Sequence, residues 1–137
     1  MYRATFKNAG SHVSGEWAMD IPYVMIAEDE CIIGADLRMT VEEAGCEVEG
    51  PLPDVPSAML AYQKRKPDLA ILDVNLGDHN VFPLAEKLIA ENVKVIFHSG
   101  LYSAADVSER FPEATVLEKP VPPRVMLETV QNSLASA

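Results

Sequence analysis

Short apolar runs alternate with helical repeats five times along this chain, and that alternation leaves few folds open. The runs are Tyr23-Val24-Met25-Ile26-Ala27, Cys46 to Gly50, Leu69-Ala70-Ile71-Leu72, Val93 to Phe97 and Thr115-Val116-Leu117. Apolar runs of this length between turn signals read as strands, buried on both faces where they show no alternation. After the first strand, Ile33, Leu37, Thr40, Val41 and Ala44 recur at helical spacing, and Gly45 is a good stop. Val55 to Lys66 is a second helix with a basic end, closed by Pro67. Val81 to Asn92 places Phe82, Ala85, Leu88 and Ile89 on one face, and Ala104 to Arg110 is a weaker helix closed by Phe111-Pro112. Pro122-Pro123 leads into a last helix carrying Val125, Met126, Leu127, Val130 and Leu134. Alternation of this kind implies parallel βαβ units with right-handed crossovers. The expected fold is α/β, a doubly wound five-stranded parallel sheet with helices on both faces.

A chain of 137 residues suits one domain with one sizeable core. Residues 1–20 are polar, contain glycine and lack periodicity, so they read as a flexible N-terminal arm before a domain at 21–137. The formal net charge of −10 argues against direct DNA binding and against an anionic membrane surface. Cys31 and Cys46 form no CxxC and no disulfide framework, which fits reduced thiols and a cytoplasmic location. Neither a membrane-spanning apolar run nor a signal peptide is visible.

In open α/β sheets, chemistry collects at the carboxyl ends of the strands. Those ends carry Glu28 and Asp29 on the first strand, Asp73 on the third, Ser99 on the fourth and Lys119 on the fifth. Three carboxylates brought together repel, so raised pKa values or a bound cation must compensate. Oxygen ligands of this type suit Mg²⁺ or Mn²⁺. With Lys119 as a compact cation and Ser99 as a donor, the set suits a phosphoryl group received by an Asp73 oxygen. Singly, each residue has a plainer reading: Glu28 and Asp29 as helix caps, Asp73 and Ser99-Gly100 as turn residues. His98 and His79 lie near the same ends as candidate metal ligands, although no second nitrogen or sulfur ligand stands at matching spacing.

The chain from about Tyr23 to Leu134 resembles the receiver domain of two-component response regulators. The resemblance rests on Glu28-Asp29, on Asp73 within Leu72-Asp73-Val74-Asn75-Leu76, on Ser99 and on Lys119-Pro120. It implies a flavodoxin-like sheet of strand order 2-1-3-4-5 and a phosphoacceptor at Asp73. It further implies Mg²⁺ held by Glu28, Asp29, Asp73 and the Asn75 backbone carbonyl, with Ser99 and Lys119 on the phosphoryl oxygens and a cis Lys119–Pro120 bond. The implied partners are a histidine kinase or a histidine phosphotransfer protein. After Leu134 the sequence leaves no room for an output domain, so output is expected through protein contacts, a relay or a phosphate sink. Three departures stand out. The loop after Asp73 reads Gly77-Asp78-His79-Asn80, Gly100 replaces a usual alanine, and Val116 occupies the position of a switch aromatic. Tyr102 is a candidate substitute, though a plain loop aromatic is the simpler reading.

Two other functions compete. A haloacid-dehalogenase-like phosphatase also uses a strand-end Asp, Mg²⁺ and a Lys, but it wants a second Asp as general acid where this chain has Asn75. A pseudo-receiver that never takes phosphate would keep the fold as an interaction module. By the first reading the chain is a signalling phosphoprotein, not an enzyme.

Overall fold

Apolar side chains cover both faces of the central strands and make two separate cores. The structure, a computed structural model, describes residues 20–77, 79–100 and 104–136. In chain order the elements are β1 (Tyr23–Ala27), α1 (Cys31–Glu43), β2 (Glu47–Leu52), α2 (Val55–Lys64), β3 (Leu69–Asp73), β4 (Asn75–Leu76) and β5 (His79–Asn80). They continue with α3 (Phe82–Ala90), β6 (Lys94–Ser99), α4 (Ala104–Arg110), β7 (Thr115–Glu118) and α5 (Pro123–Ala135). The main sheet is parallel throughout, in the order β2-β1-β3-β6-β7. That is the expected 2-1-3-4-5 order once the antiparallel ribbon β4–β5 is set aside. Residues 1–19, where the arm was expected, lie outside the described residues, as does Tyr102.

Val24, Ile26, Leu69, Ile71 and Ile96 bury one face of the sheet under Leu37 and Val41 of α1 and Met126 and Val130 of α5. Met25, Ala70, Leu72, Val95 and Phe97 bury the other face under α2, α3 and α4, through Ala58, Tyr62, Leu84, Leu88 and Val107. Each large aliphatic so buried contributes about 1.5–3 kcal/mol. β1 and β3, fully buried along their length, are the axis on which the rest hangs.

β2 departs from expectation. Pro51 and Leu52 read as loop, yet the strand runs through them to Leu52. β2 is an edge strand, where a proline removes no needed ladder hydrogen bond. The pairing slips by one residue, with Met25 opposite Glu49 but Ala27 opposite Leu52, so the extra residue forms a bulge at Gly50-Pro51. Gly50 has φ of 113°, and a Cβ there would strike the Ile26 carbonyl oxygen. Two peptide bonds are cis, Gly50–Pro51 and the expected Lys119–Pro120. α2 then starts on Asp54, whose Oδ1 accepts the Ser57 N–H at 2.8 Å.

Candidate functional site

Side chains alternate across a strand, so the register of the sheet decides what meets at its carboxyl edge. Asp73 on β3 stands directly opposite His98 on β6, and Ser99 is paired with Glu118 on β7. Lys119 follows at once, its N–H donating to the Ser99 carbonyl at 2.8 Å. The Glu28 N–H donates to the Leu52 carbonyl at 2.9 Å, carrying the β1–β2 ladder one residue past β1. The five expected strand-end side chains are thus positioned by four strands and their ladder.

Asp73 is 5% exposed and engaged on both oxygens. Its Oδ1 accepts the Asn75 N–H at 3.0 Å and its Oδ2 accepts from Lys119 Nζ at 3.1 Å. The same ammonium lies 3.5 Å from Glu28 Oε1 and 3.8 Å from Glu30 Oε1. Glu28 is buried, and its Oε2 accepts the Glu30 N–H at 3.2 Å. Asp29 is exposed, and its Oδ2 accepts the Gly77 N–H at 3.2 Å. Ligand oxygens of Glu28, Asp29 and Asp73 all lie within 4.8 Å of one another. Asp29, Glu30, Asp73, Asn75, Gly100 and Lys119 line a cleft of about 370 Å³ beside them. Ser99 is fully buried at the end of β6.

Burial pushes the Asp73 carboxyl up to about 6, helped by the neighbouring Glu28, against the pull of the Asn75 N–H and Lys119. Burial opposes ionisation of Glu28 too, but His98, Asp73, the Glu30 N–H and Lys119 outweigh it and hold its pKa below the ordinary value. Burial works against the Lys119 charge, yet the surrounding carboxylates raise its pKa above that of a free lysine. The pocket therefore holds one firmly ionised acid, one reluctantly ionised acid and a firm cation. Among the described residues the close carboxylates offer oxygen donors only, which fits a hard divalent cation. Glu28, Asp29 and Asp73 could hold one, since among the described residues Lys119 is the one firm cation beside them.

The helix-cap reading of the acidic residues does not hold. The N-cap of α1 is Glu30, whose side chain makes no cap hydrogen bond, while Glu28 and Asp29 turn toward the cleft. Glu30 was not singled out from sequence, and two glycines noted there only as departures take on definite roles. Glu30 faces Lys119, Gly77 supplies a backbone donor to Asp29, and Gly100 leaves room for the Lys119 stem, where a Cβ would lie 3.3 Å from its Cδ. Gly77 has φ of 61° and turns the chain between β4 and β5, so the loop that departs from the family pattern lies in a small hairpin. The sequence signal was the glycine itself. His98 is not among the clustered metal ligands, but its Nδ1 lies 3.8 Å from Glu28 Oε1. His79 lies on β5 in that hairpin, and its side chain lies outside the described residues.

The sequence matches the family described as the response regulator receiver domain over residues 24–131. It is 31% identical over 100 residues to the transcriptional regulatory protein PdtaR of Mycobacterium tuberculosis, covering 73% of this chain and 49% of that protein. The chain thus spans about half the length of the curated relatives it matches. Among solved structures, a CheY-like response regulator receiver domain from Methanospirillum hungatei superposes with a TM-score of 0.75 at 25% identity, covering 84% of this chain and 94% of that one. The response regulator PhyR from Brucella abortus gives a TM-score of 0.72 at 27% identity, over 83% of this chain and 48% of that one.

Proposed function

The chain belongs to the response regulator receiver domain family, and on that premise we propose that it is a phosphoacceptor signalling module charged on Asp73. One observation carries the reading: a buried aspartate bonded to a lysine at 3.1 Å, with two further carboxylates beside it. Receiver domains accept a phosphoryl group rather than turn over a substrate. The donor here is a phosphohistidine on a histidine kinase or a histidine phosphotransfer protein. Asp73 Oδ2 attacks phosphorus, the P–N bond breaks, an acyl phosphate forms, and the departing imidazole takes up a proton.

Glu28, Asp29 and Asp73, with the Asn75 carbonyl, would hold Mg²⁺ or Mn²⁺. When bound, that cation neutralises charge on the phosphoryl oxygens and lowers the cost of bringing a dianion to this acidic pocket. The chain's own residues do the rest. Lys119 transfers its hydrogen bond from the carboxylate to the incoming oxygens, and Ser99 supplies a hydroxyl. Gly77 keeps Asp29 turned inward. The charged form then acts through protein contacts, through a relay or as a phosphate sink.

Acetyl phosphate with Mg²⁺, followed by intact mass, tests the reading. One added phosphoryl group is expected on the parent and none on Asp73→Asn, which keeps the shape and loses the nucleophilic oxygen. A parent that never gains mass would leave an interaction module that takes no phosphate. Equal labelling of both would mean another acceptor.

A further inference from the structure

Two buried atoms in the described residues lack a hydrogen-bond partner, and they face each other: Glu28 Oε1 and His98 Nδ1, 3.8 Å apart. His98 is 5% exposed and Glu28 2%. At that distance no hydrogen bond exists, yet less than about 1 Å of movement would make one. A histidine serving only as core filling would be satisfied by its surroundings, because an orphaned buried nitrogen is costly. This one is aimed at a carboxylate. The residue also lines a cavity of about 300 Å³ between α1 and α5, with Ile33, Leu37 and Met126.

Glu28 Oε1 therefore has two potential donors. Lys119 Nζ approaches at 3.5 Å from the cleft side, but it is more closely held by Asp73 Oδ2 at 3.1 Å. A phosphoryl group on Asp73 carries more negative charge than the carboxylate it replaces, so Lys119 follows it. Glu28 then loses its cation just as it must stay oriented. We propose that His98 is a positioning residue for Glu28, donating from Nδ1–H to Oε1 when Lys119 turns to the phosphoryl group. The facing carboxylate selects the tautomer that carries the proton on Nδ1. This inference rests on the phosphoacceptor reading, because it is the arrival of the phosphoryl group that frees the oxygen. Such partners of metal ligands are worth about 10–100-fold in metal affinity.

The test titrates Mg²⁺ against the whole chain in fluoride and beryllium, following formation of the beryllofluoride complex by NMR. Three proteins are compared: the parent, His98→Leu, which fills the space without a donor, and His98→Asn, whose amide nitrogen reaches the same place. His98→Leu is expected to need about ten times more Mg²⁺ or beyond, while His98→Asn stays close to the parent. Without beryllofluoride the three should differ less, because Lys119 still serves Glu28. Thermal melts check folding, and His98→Met replaces the leucine variant if that one does not fold. Equal Mg²⁺ demand in the parent and the apolar variant overturns the role of His98 while leaving the phosphoacceptor reading intact. So does an asparagine variant as weak as the leucine one, which would mark a packing role. A parent that forms no complex at any Mg²⁺ concentration overturns the phosphoacceptor reading, and the role of His98 falls with it.

Discussion

Asp73 prefers to stay protonated until about pH 6 in the metal-free fold, two units above an exposed aspartate, because it is buried beside Glu28. The sign follows from linkage. The folded form binds the proton more tightly than the unfolded one, so a penalty grows from about pH 4 to pH 6 and stays constant above. In chelator, Asp73→Asn should be more stable than the parent by about 1–3 kcal/mol at pH 7, with the gap closing below pH 4. Urea denaturation across pH checks this; a constant gap would mean that Asp73 is not the strained acid. Glu28 works the other way: its depressed pKa adds stability above about pH 4.5 that is lost in acid, so the difference between variants is needed to isolate Asp73. Lys119→Gln removes the shared cation and should cost about 2–4 kcal/mol at pH 7, a loss that Mg²⁺ partly reverses. Melting curves with and without Mg²⁺ would show it. Sequence spacing put three repelling carboxylates at one edge, but it could not say which bears the cost. Burial decides that, and burial depends on packing that no local pattern encodes.

At the level of elements, α4 buries a single side chain yet is tied to the strand end that precedes Lys119. It has seven residues and only Val107 buried. The Ala104 N–H at its start donates to Glu118 Oε2 at 3.2 Å, and Glu118 immediately precedes Lys119. Its far end is anchored by Phe111, whose ring lies 5.0 Å from Phe97 and 5.2 Å from Phe82. A shift of Lys119 therefore pulls on the start of α4 while Phe111 holds the end. Hydrogen exchange should change across Ala104 to Glu118 when beryllofluoride binds; unchanged protection there with changes on the α1 face would move the output surface elsewhere. Val116 is only partly buried against the same core and carries no ring, so a side chain at this position cannot report the change; that is left to the backbone or to Tyr102. Gly50→Ala should destabilise by more than about 1 kcal/mol, since a methyl cannot enter the bulge beside Ile26, and chemical denaturation would measure it. Helices and central strands were readable because long apolar periods survive any context. The end of β2 was not, because glycine and proline signal a turn in sequence and an edge bulge in the sheet. The ribbon β4–β5 was not either, because two-residue strands have no period to read.

Over the whole molecule, a net charge of −10 and a pocket of clustered acids act together. Divalent cation should stabilise the chain beyond any screening effect, so a few millimolar Mg²⁺ should raise the melting temperature more than NaCl of equal ionic strength. Glu28→Gln should lose most of that excess; an equal shift from both salts would mean simple screening. The arrangement of the site was readable from sequence only because the sheet order brings distant strand ends together; five alternations imply a parallel sheet, and the resemblance to receiver domains supplied its order. What lay beyond reach was depth: which acid is buried, which backbone N–H turns inward, and that His98 faces Glu28. The sheet order has a further consequence. β7 is an edge strand, paired on one side only, and Lys119 follows directly from its end. Edges fray before centres, so warming would strip this chain of its cation while β1 and β3 still hold their pairing. Competence to be charged would then fail some degrees below the melting point, and the protein would fall silent while still folded.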